Sequence, residues 1–122
     1  MKQSIWAALL LSGALMTPTA WAKSEAAIIQ EAKTNVVTVA QAHKMKDKTG
    51  VTLTGQIVRQ ITLHEDDFEF RDKTGSIVLD IDDDLWEPLN LKAGDKVRVI
   101  GEVDTHIKKP TEIEVVRIER IK

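Results

Sequence analysis

The stretch 68–82 constrains the fold most strongly, because its pattern is that of two β-strands joined by a tight turn. Five of its six apolar residues share one face of an extended chain: Phe68, Phe70, Ile77, Leu79 and Ile81. Asp72 is a favoured first residue of a type I turn, and Gly75 tolerates the positive φ needed where the second strand begins. A lone two-stranded hairpin is not stable in water, so the chain must supply further strands that cover the apolar face.

Two more segments, 51–58 and 97–103, alternate apolar and polar residues and carry a glycine in the middle, Gly55 and Gly101 respectively. A glycine inside a strand is typical of a sharp bend or bulge. Both segments are therefore predicted to be strands that bend near their centres.

The last strand, at about 112–121, changes its apolar parity. Ile113 and Val115 belong to one face, whereas Val116 and Ile118 belong to the other. Such a change requires an inserted residue, so a β-bulge is predicted near Val115 and Val116. Five short, strongly curved strands are too few for a two-sheet sandwich. The predicted fold is mainly β, a five-stranded OB-fold Greek-key barrel.

The segments before the barrel are predicted as follows. Residues 23–35 lack sustained periodicity and are assigned as a flexible lead-in or a frayed helix, and residues 36–122 as the OB-fold domain. Thr38 and Gln41 have the spacing of a capping box, which predicts a short α-helix at about 38–46 flanking the barrel.

Residues 1–22 have the pattern of a cleaved secretory signal peptide. Lys2 precedes an apolar run at 5–16, and Ala-Trp-Ala at 20–22 places small residues where a signal peptidase requires them. The run is shorter than the roughly 20 apolar residues that span a bilayer. The sequence therefore predicts cleavage before Lys23, export, and no membrane span in the mature form.

Charge and cysteine content exclude several functions. Removal of Lys2 with the signal changes the net charge from −2 to −3, and such an acidic balance disfavours nucleic acid as a partner. The chain has no cysteine, which excludes disulfides, thiolate zinc sites and a cysteine nucleophile. Neither Ser24 nor Ser76 lies in a nucleophile motif, and no pair of carboxylates has the spacing that would single out an acid and a base. The prediction is that the protein is not an enzyme and needs no cofactor.

The segments 51–58, 68–82 and 94–104, together with Trp86, resemble the bacterial OB-fold (BOF) family of small, stress-inducible periplasmic proteins. The resemblance extends from about residue 37 to residue 121. It implies export to the periplasm, an OB barrel, no catalytic activity and a role in envelope stress tolerance. The family supplies no catalytic or metal-binding residues to carry over. Family members often have an aromatic hydroxyl at the position of Phe68.

Seven residues are candidate ligand contacts: His64, Glu69, Arg71, Asp80, Trp86, His106 and Lys108. The strand residues of this set point outward from the predicted barrel. The two histidines and Lys108 lie in the loops that flank the usual ligand face of an OB barrel. For the histidines the alternative is a loop position without a role, and for Trp86 it is a plug at the end of the barrel.

The acidic run at 80–84 raises the question of a metal site. An EF-hand requires Gly where Leu85 stands and Glu where Leu91 stands, so that template fails and no metal ligands are assigned. A weak divalent site that also uses Glu65, Asp66 or Asp67 stays open. The predicted function is a monomeric, noncatalytic binding module of the envelope, whose partner is an envelope glycan, a cationic peptide or an envelope protein. The alternative is an acidic protein that binds divalent metal ions.

Overall fold

The computed structural model describes residues 23–61 and 66–122, so the predicted signal peptide and His64 lie outside the described residues. Three helices and five strands follow one another in this order: α1 (Glu25–Ala32), α2 (Val39–Ala42), β1 (Gly50–Gln60), β2 (Asp67–Asp72), β3 (Gly75–Asp80), α3 (Asp83–Trp86), β4 (Lys96–Asp104) and β5 (Glu112–Arg120).

The five strands close into a barrel in the order β1-β2-β3-β5-β4. β3 and β5 pair in parallel, and the other neighbours are antiparallel. β1 pairs with β4 over residues 50–56 and with β2 over residues 56–60, so one bent strand serves both neighbours. The predicted five-stranded barrel is confirmed.

Gly55 lies where β1 passes from one neighbour to the other. A Cβ atom at this position would lie 2.3 Å from the carbonyl oxygen of Arg71 and 2.7 Å from Cζ of Phe70. Only a residue without a side chain permits this close approach of β1 and β2.

The predicted bulge in β5 is also confirmed. Ile100 pairs with Arg117 and Gly101 pairs with Val115, so Val116 is the extra residue. At Gly101 an added Cβ would lie 2.3 Å from the carbonyl oxygen of Glu114, so the bulged strand approaches β4 closely there.

The barrel interior holds the core that the alternation in sequence predicted. The five apolar residues of the stretch 68–82 that share one face are all buried. The largest fully buried side chains are Phe68, Phe70, Leu53, Ile57, Leu79, Ile81 and Ile113. In β2, β3 and β4 the core residues have one parity, so the residues of the opposite parity lie on the outer surface.

Two alternatives were given for residues 23–35, a flexible lead-in or a frayed helix, and α1 occupies most of this segment. The Ser24 side chain caps α1 by accepting from the backbone N–H of Ala27. Ile28 and Ala32 are buried, and α1 packs on β1 and β4. Burial of this one apolar pair against the barrel stabilises a helix that sequence periodicity alone did not indicate.

α2 is confirmed with its capping box, although it is shorter than predicted. The Thr38 side chain accepts from the N–H of Gln41, and the Gln41 side chain accepts from the N–H of Thr38. Asp72 accepts from the N–H of Val39 at 2.9 Å, and the Thr74 hydroxyl accepts from the N–H of Ala40 at 3.0 Å. The β2–β3 turn therefore supplies extra acceptors for the first turn of this helix.

Candidate functional site

A groove of about 280 Å³ crosses the outer surface of β2 and β3. We refer to it as the outer groove; it is lined by Arg59, Ile61, Glu69, Val78, Pro110 and Thr111, among others. Its apolar side chains are contributed by the end of β1, the centre of β3 and the β4–β5 loop. The groove thus combines an apolar surface with a small number of charged groups, the usual composition of a binding site.

An ion pair fixes the charged edge of the outer groove. Arg59 Nε donates to Glu69 Oε1 at 2.9 Å, and the two residues are direct partners in the β1–β2 pairing. On the other side, the ring Nε2 of His43 lies 2.9 Å from the carbonyl oxygen of Ser76. Glu69 was a predicted contact, whereas Arg59 and His43 were missed. Cross-strand register brings Arg59 to Glu69, and the packing of α2 on β3 brings His43 to Ser76. A sequence gives neither directly.

An acidic cluster lies beside the outer groove, at the start of β2 and β5 and the end of β3. Carboxylate oxygens of Asp67, Asp80 and Glu112 lie within 4.8 Å of one another, and so do those of Asp66, Asp80 and Asp82. Burial, followed by the charges of Asp67 and Glu112, raises the pKa of Asp80 to about 6. Asp80, a predicted contact, is therefore the carboxylate common to both groups.

His106, another predicted contact, lies over this cluster. Its Nε2 is 2.6 Å from Glu112 Oε2 and 3.5 Å from Asp104 Oδ2. Lys109 Nζ lies 3.5 Å from the same oxygen of Glu112, which is itself buried. The β4–β5 loop is thus held to the barrel by cationic or hydrogen-bonding groups over an acidic patch.

Trp86 contributes to the end of the barrel. Its indole Nε1 donates to Asp66 Oδ1 at 3.2 Å, and its ring meets Phe68 edge to face with centroids 5.6 Å apart. The side chain is half-buried and packs against the core. These contacts favour the alternative reading of Trp86 as a plug.

The two remaining described candidates lie elsewhere. Arg71 is exposed at the far end of β2, where it pairs with Gln56, and it does not line the outer groove. Lys108 is exposed in the β4–β5 loop. The predicted contacts therefore separate into the outer groove, the acidic cluster, the barrel end and a distant basic region.

A closed five-stranded barrel with this topology defines a small protein of the OB-fold class. The model of the bacterial OB fold (BOF) protein family matches residues 15–120. The chain belongs to this family. Within the described residues, no helix is long and apolar enough to cross a membrane.

Three relatives illustrate the similarity. An uncharacterized protein of Haemophilus influenzae is 36% identical over 91 residues, which cover 75% of this chain and 74% of that protein. The calcium-regulated OB-fold protein CarO of Pseudomonas aeruginosa is 40% identical over 85 residues, covering 70% of this chain and 71% of CarO. Protein YgiW of Escherichia coli is 37% identical over 87 residues, covering 71% of this chain and 65% of YgiW.

Solved structures agree with the fold. The structure of YgiW from E. coli superposes with a TM-score of 0.64, covering 71% of this chain and 90% of that one. A chain of the Stn1–Ten1 complex of S. pombe, 16% identical, superposes with a TM-score of 0.57 over 72% of this chain and 78% of that chain. At that identity the second likeness concerns the barrel alone.

Proposed function

We propose that this protein is a noncatalytic binding module of the periplasm that contributes to envelope stress tolerance by binding cationic peptides in the outer groove. Family membership and the signal-peptide pattern of residues 1–22 support a periplasmic location. The outer face of β2 and β3 presents the outer groove to such a ligand.

The position of the acidic cluster carries the choice of ligand. Glu69 pairs with Val78 across the β2–β3 hairpin, and Asp67 pairs with Asp80 two residues further along. Outward side chains two residues apart are about 7 Å from each other along a strand. An apolar surface and a group of carboxylates therefore lie side by side, complementary to a peptide that alternates cationic and apolar side chains.

Substitution of Val78 by Lys tests the proposal. The new cation would occupy the centre of the outer groove and repel a cationic peptide. Ile100→Lys is the matched control, because Ile100 is also half-buried on a strand but does not line the outer groove. Calorimetry with a short peptide of Arg and Leu should show binding weakened at least about tenfold by V78K and unchanged by I100K.

Equal weakening by both variants, or no binding to the wild-type protein, would contradict a peptide site in the outer groove. Cell-wall sugar fragments are the comparison ligand. If they bind and V78K blocks them while the peptide does not bind, the ligand is an envelope glycan. If an envelope protein binds, while the peptide and the sugar fragments do not, the partner is a protein.

Divalent cation binding is a second candidate, favoured by the two groups of carboxylates that share Asp80. Three oxygen ligands within one cluster suit a hard cation such as Ca²⁺. The name of CarO says that calcium regulates that protein, which makes calcium the first ion to titrate. Calcium titration should release or absorb heat in the wild-type protein but not in Asp80→Asn. No heat in the wild type would exclude this candidate function.

A further inference from the structure

A second cleft, of about 430 Å³, lies between the end of β2 and the start of β4, away from the outer groove. We propose that this basic cleft, which contains Gln56, Arg71, Lys73, Lys96 and Ile121, binds a small phosphorylated sugar. Three features of the cleft support this proposal: the alignment of its polar side chains, its charge and its apolar wall.

Strand register places three polar side chains in a row. Gln56 of β1 is the direct partner of Lys96 on one side and of Arg71 on the other. Ile57, Phe70 and Val97, which follow or precede them in sequence, point into the core, so the three polar side chains stand on the outer face. Direct partners in antiparallel strands have Cβ atoms about 5 Å apart. The row therefore offers donors over a length of about 10 Å.

The cations of this row are not neutralised by the protein. Among the described residues, neither Arg71, Lys73 nor Lys96 forms a salt bridge. The one carboxylate among the residues that line the cleft, Asp72, accepts hydrogen bonds from the backbone N–H groups of Val39 and Thr74 at 2.9 and 2.7 Å. Three cations against one carboxylate leave a net charge of +2, which matches the charge of close to −2 on a phosphomonoester near neutral pH.

The wall of the basic cleft suits an organic body attached to the phosphate. Ile121 is half-buried, and its backbone N–H donates to the carbonyl oxygen of Lys96 at 2.8 Å, which fixes it beside the row. The Gln56 side-chain amide donates to the carbonyl oxygen of Gly94 over a long distance, 3.4 Å. This hydrogen bond is weak, so the amide can also bind a hydroxyl group of a ligand. A sugar ring has both an apolar face and hydroxyl groups, and it fits these two partners.

Calorimetric titration with glucose 1-phosphate tests the proposal, with glucose and inorganic phosphate as comparison ligands. Glucose 1-phosphate should bind more tightly than either. Arg71→Gln and Lys96→Gln should each weaken binding at least about tenfold, the expected loss of a charge-assisted hydrogen bond. Lys46→Gln is the matched control, because it removes one cation from an exposed residue outside the cleft.

Amide resonances of Gly55, Arg71 and Lys96 should shift on titration, which locates binding independently of affinity. No shift at millimolar glucose 1-phosphate, or equal weakening by K46Q and R71Q, would overturn the proposal. Vesicles with phosphatidic acid carry the same phosphomonoester on a lipid. If the protein co-sediments with these vesicles, binds them more tightly than glucose 1-phosphate and loses this binding in R71Q, the anion site is supported. The phosphomonoester would then come from a lipid.

Both variants leave the outer groove unaltered, because neither Arg71 nor Lys96 lines it. Peptide binding in the outer groove and sugar phosphate binding in the basic cleft can therefore fail separately.

Discussion

Asp80 lies directly opposite Asp67 across the β2–β3 hairpin, so two carboxylates face each other at the edge of the outer groove. Glu112, Glu114 and Asp82 add negative charge around Asp80. Like charges that are direct cross-strand partners destabilise a sheet. This local destabilisation is relieved when Asp80 is protonated or when a cationic ligand lies beside it.

The first prediction concerns the pH dependence of stability. The pKa of Asp80 is raised from 3.8 to about 6, so the folded state binds this proton more tightly than the unfolded state. Ionisation of Asp80 above pH 6 therefore lowers the free energy of unfolding. The free energy of unfolding increases again as the pH falls through about 6 towards 4 and Asp80 is protonated. Asp80→Asn should stabilise the protein by about 1 kcal/mol at pH 7.5, after allowance for solvent screening.

Urea unfolding at pH 7.5 and pH 4 measures this effect, and the gain from D80N should largely disappear at the lower pH. Asp83→Asn is the control, since Asp83 is an exposed residue of α3 outside the carboxylate groups. An equal gain from D83N, or a gain from D80N that is the same at both pH values, would contradict the assignment of the effect to the raised pKa of Asp80, which burial and then the neighbouring carboxylates cause.

The second prediction separates the structural role of Trp86 from a role in stacking on a ligand. Trp86→Ala removes the ring that packs on Phe68 and should destabilise the protein by about 2 kcal/mol. Trp86→Phe keeps an aromatic ring but removes the donor to Asp66, and should cost about 1 kcal/mol. Circular dichroism during urea unfolding measures both values. A ring that serves only ligands would leave stability unchanged in both variants.

The third prediction tests why Gly55 has no side chain. In Gly55→Ala the new Cβ would lie 2.3 Å from the carbonyl oxygen of Arg71, which is backbone and cannot rotate away. The loss of stability should be at least about 2 kcal/mol. Thr54→Ser, a change at the exposed neighbouring residue, should stay within about 0.5 kcal/mol in the same urea experiment. A cost for G55A no larger than that of T54S would mean that β1 and β2 can separate there.

Most of the barrel follows from local patterns. Alternation over 68–82 predicted the buried set correctly, and the parity change in the last strand predicted the bulge at Val116. α1 was predicted only as one of two alternatives, a frayed helix, because its buried residues are a single pair, Ile28 and Ala32, four positions apart. Their burial depends on tertiary contact with β1, where an added Cβ on Gly50 would lie 2.7 Å from the carbonyl oxygen of Ile28. Such a contact between distant segments leaves little trace in local periodicity.

The candidate contacts were predicted less completely than the fold, for a physical reason. Parity places Glu69 and Arg71 on the outer face, and the structure has both there. Parity does not tell which neighbouring strand each of them meets. Register pairs Glu69 with Arg59 in the outer groove, whereas Arg71 meets Gln56 where β1 also pairs with β4. Two residues of one strand thus belong to two different clefts.

The last prediction concerns Asp72, which connects the β2–β3 turn to α2. Burial opposes its ionisation, but hydrogen bonds from Thr74, Val39 and Gly75 outweigh burial and lower the pKa. Because the folded-state pKa is depressed, the stabilisation is present above the ordinary pKa of about 4 and is lost as pH falls through the folded value. Asp72→Ala should therefore cost about 1 to 2 kcal/mol at pH 7 and clearly less at pH 2.5.

Hydrogen exchange at the amides of Val39 and Ala40 reports directly on this contact, since both N–H groups donate to the turn. D72A should accelerate exchange at Val39 at pH 7 more than at amides of β4. Glu87→Ala removes an exposed carboxylate elsewhere on the surface and should change neither stability nor exchange at Val39. If D72A left Val39 protected, the capping box of Thr38 and Gln41 would be sufficient to hold α2, and the turn would act only within the hairpin.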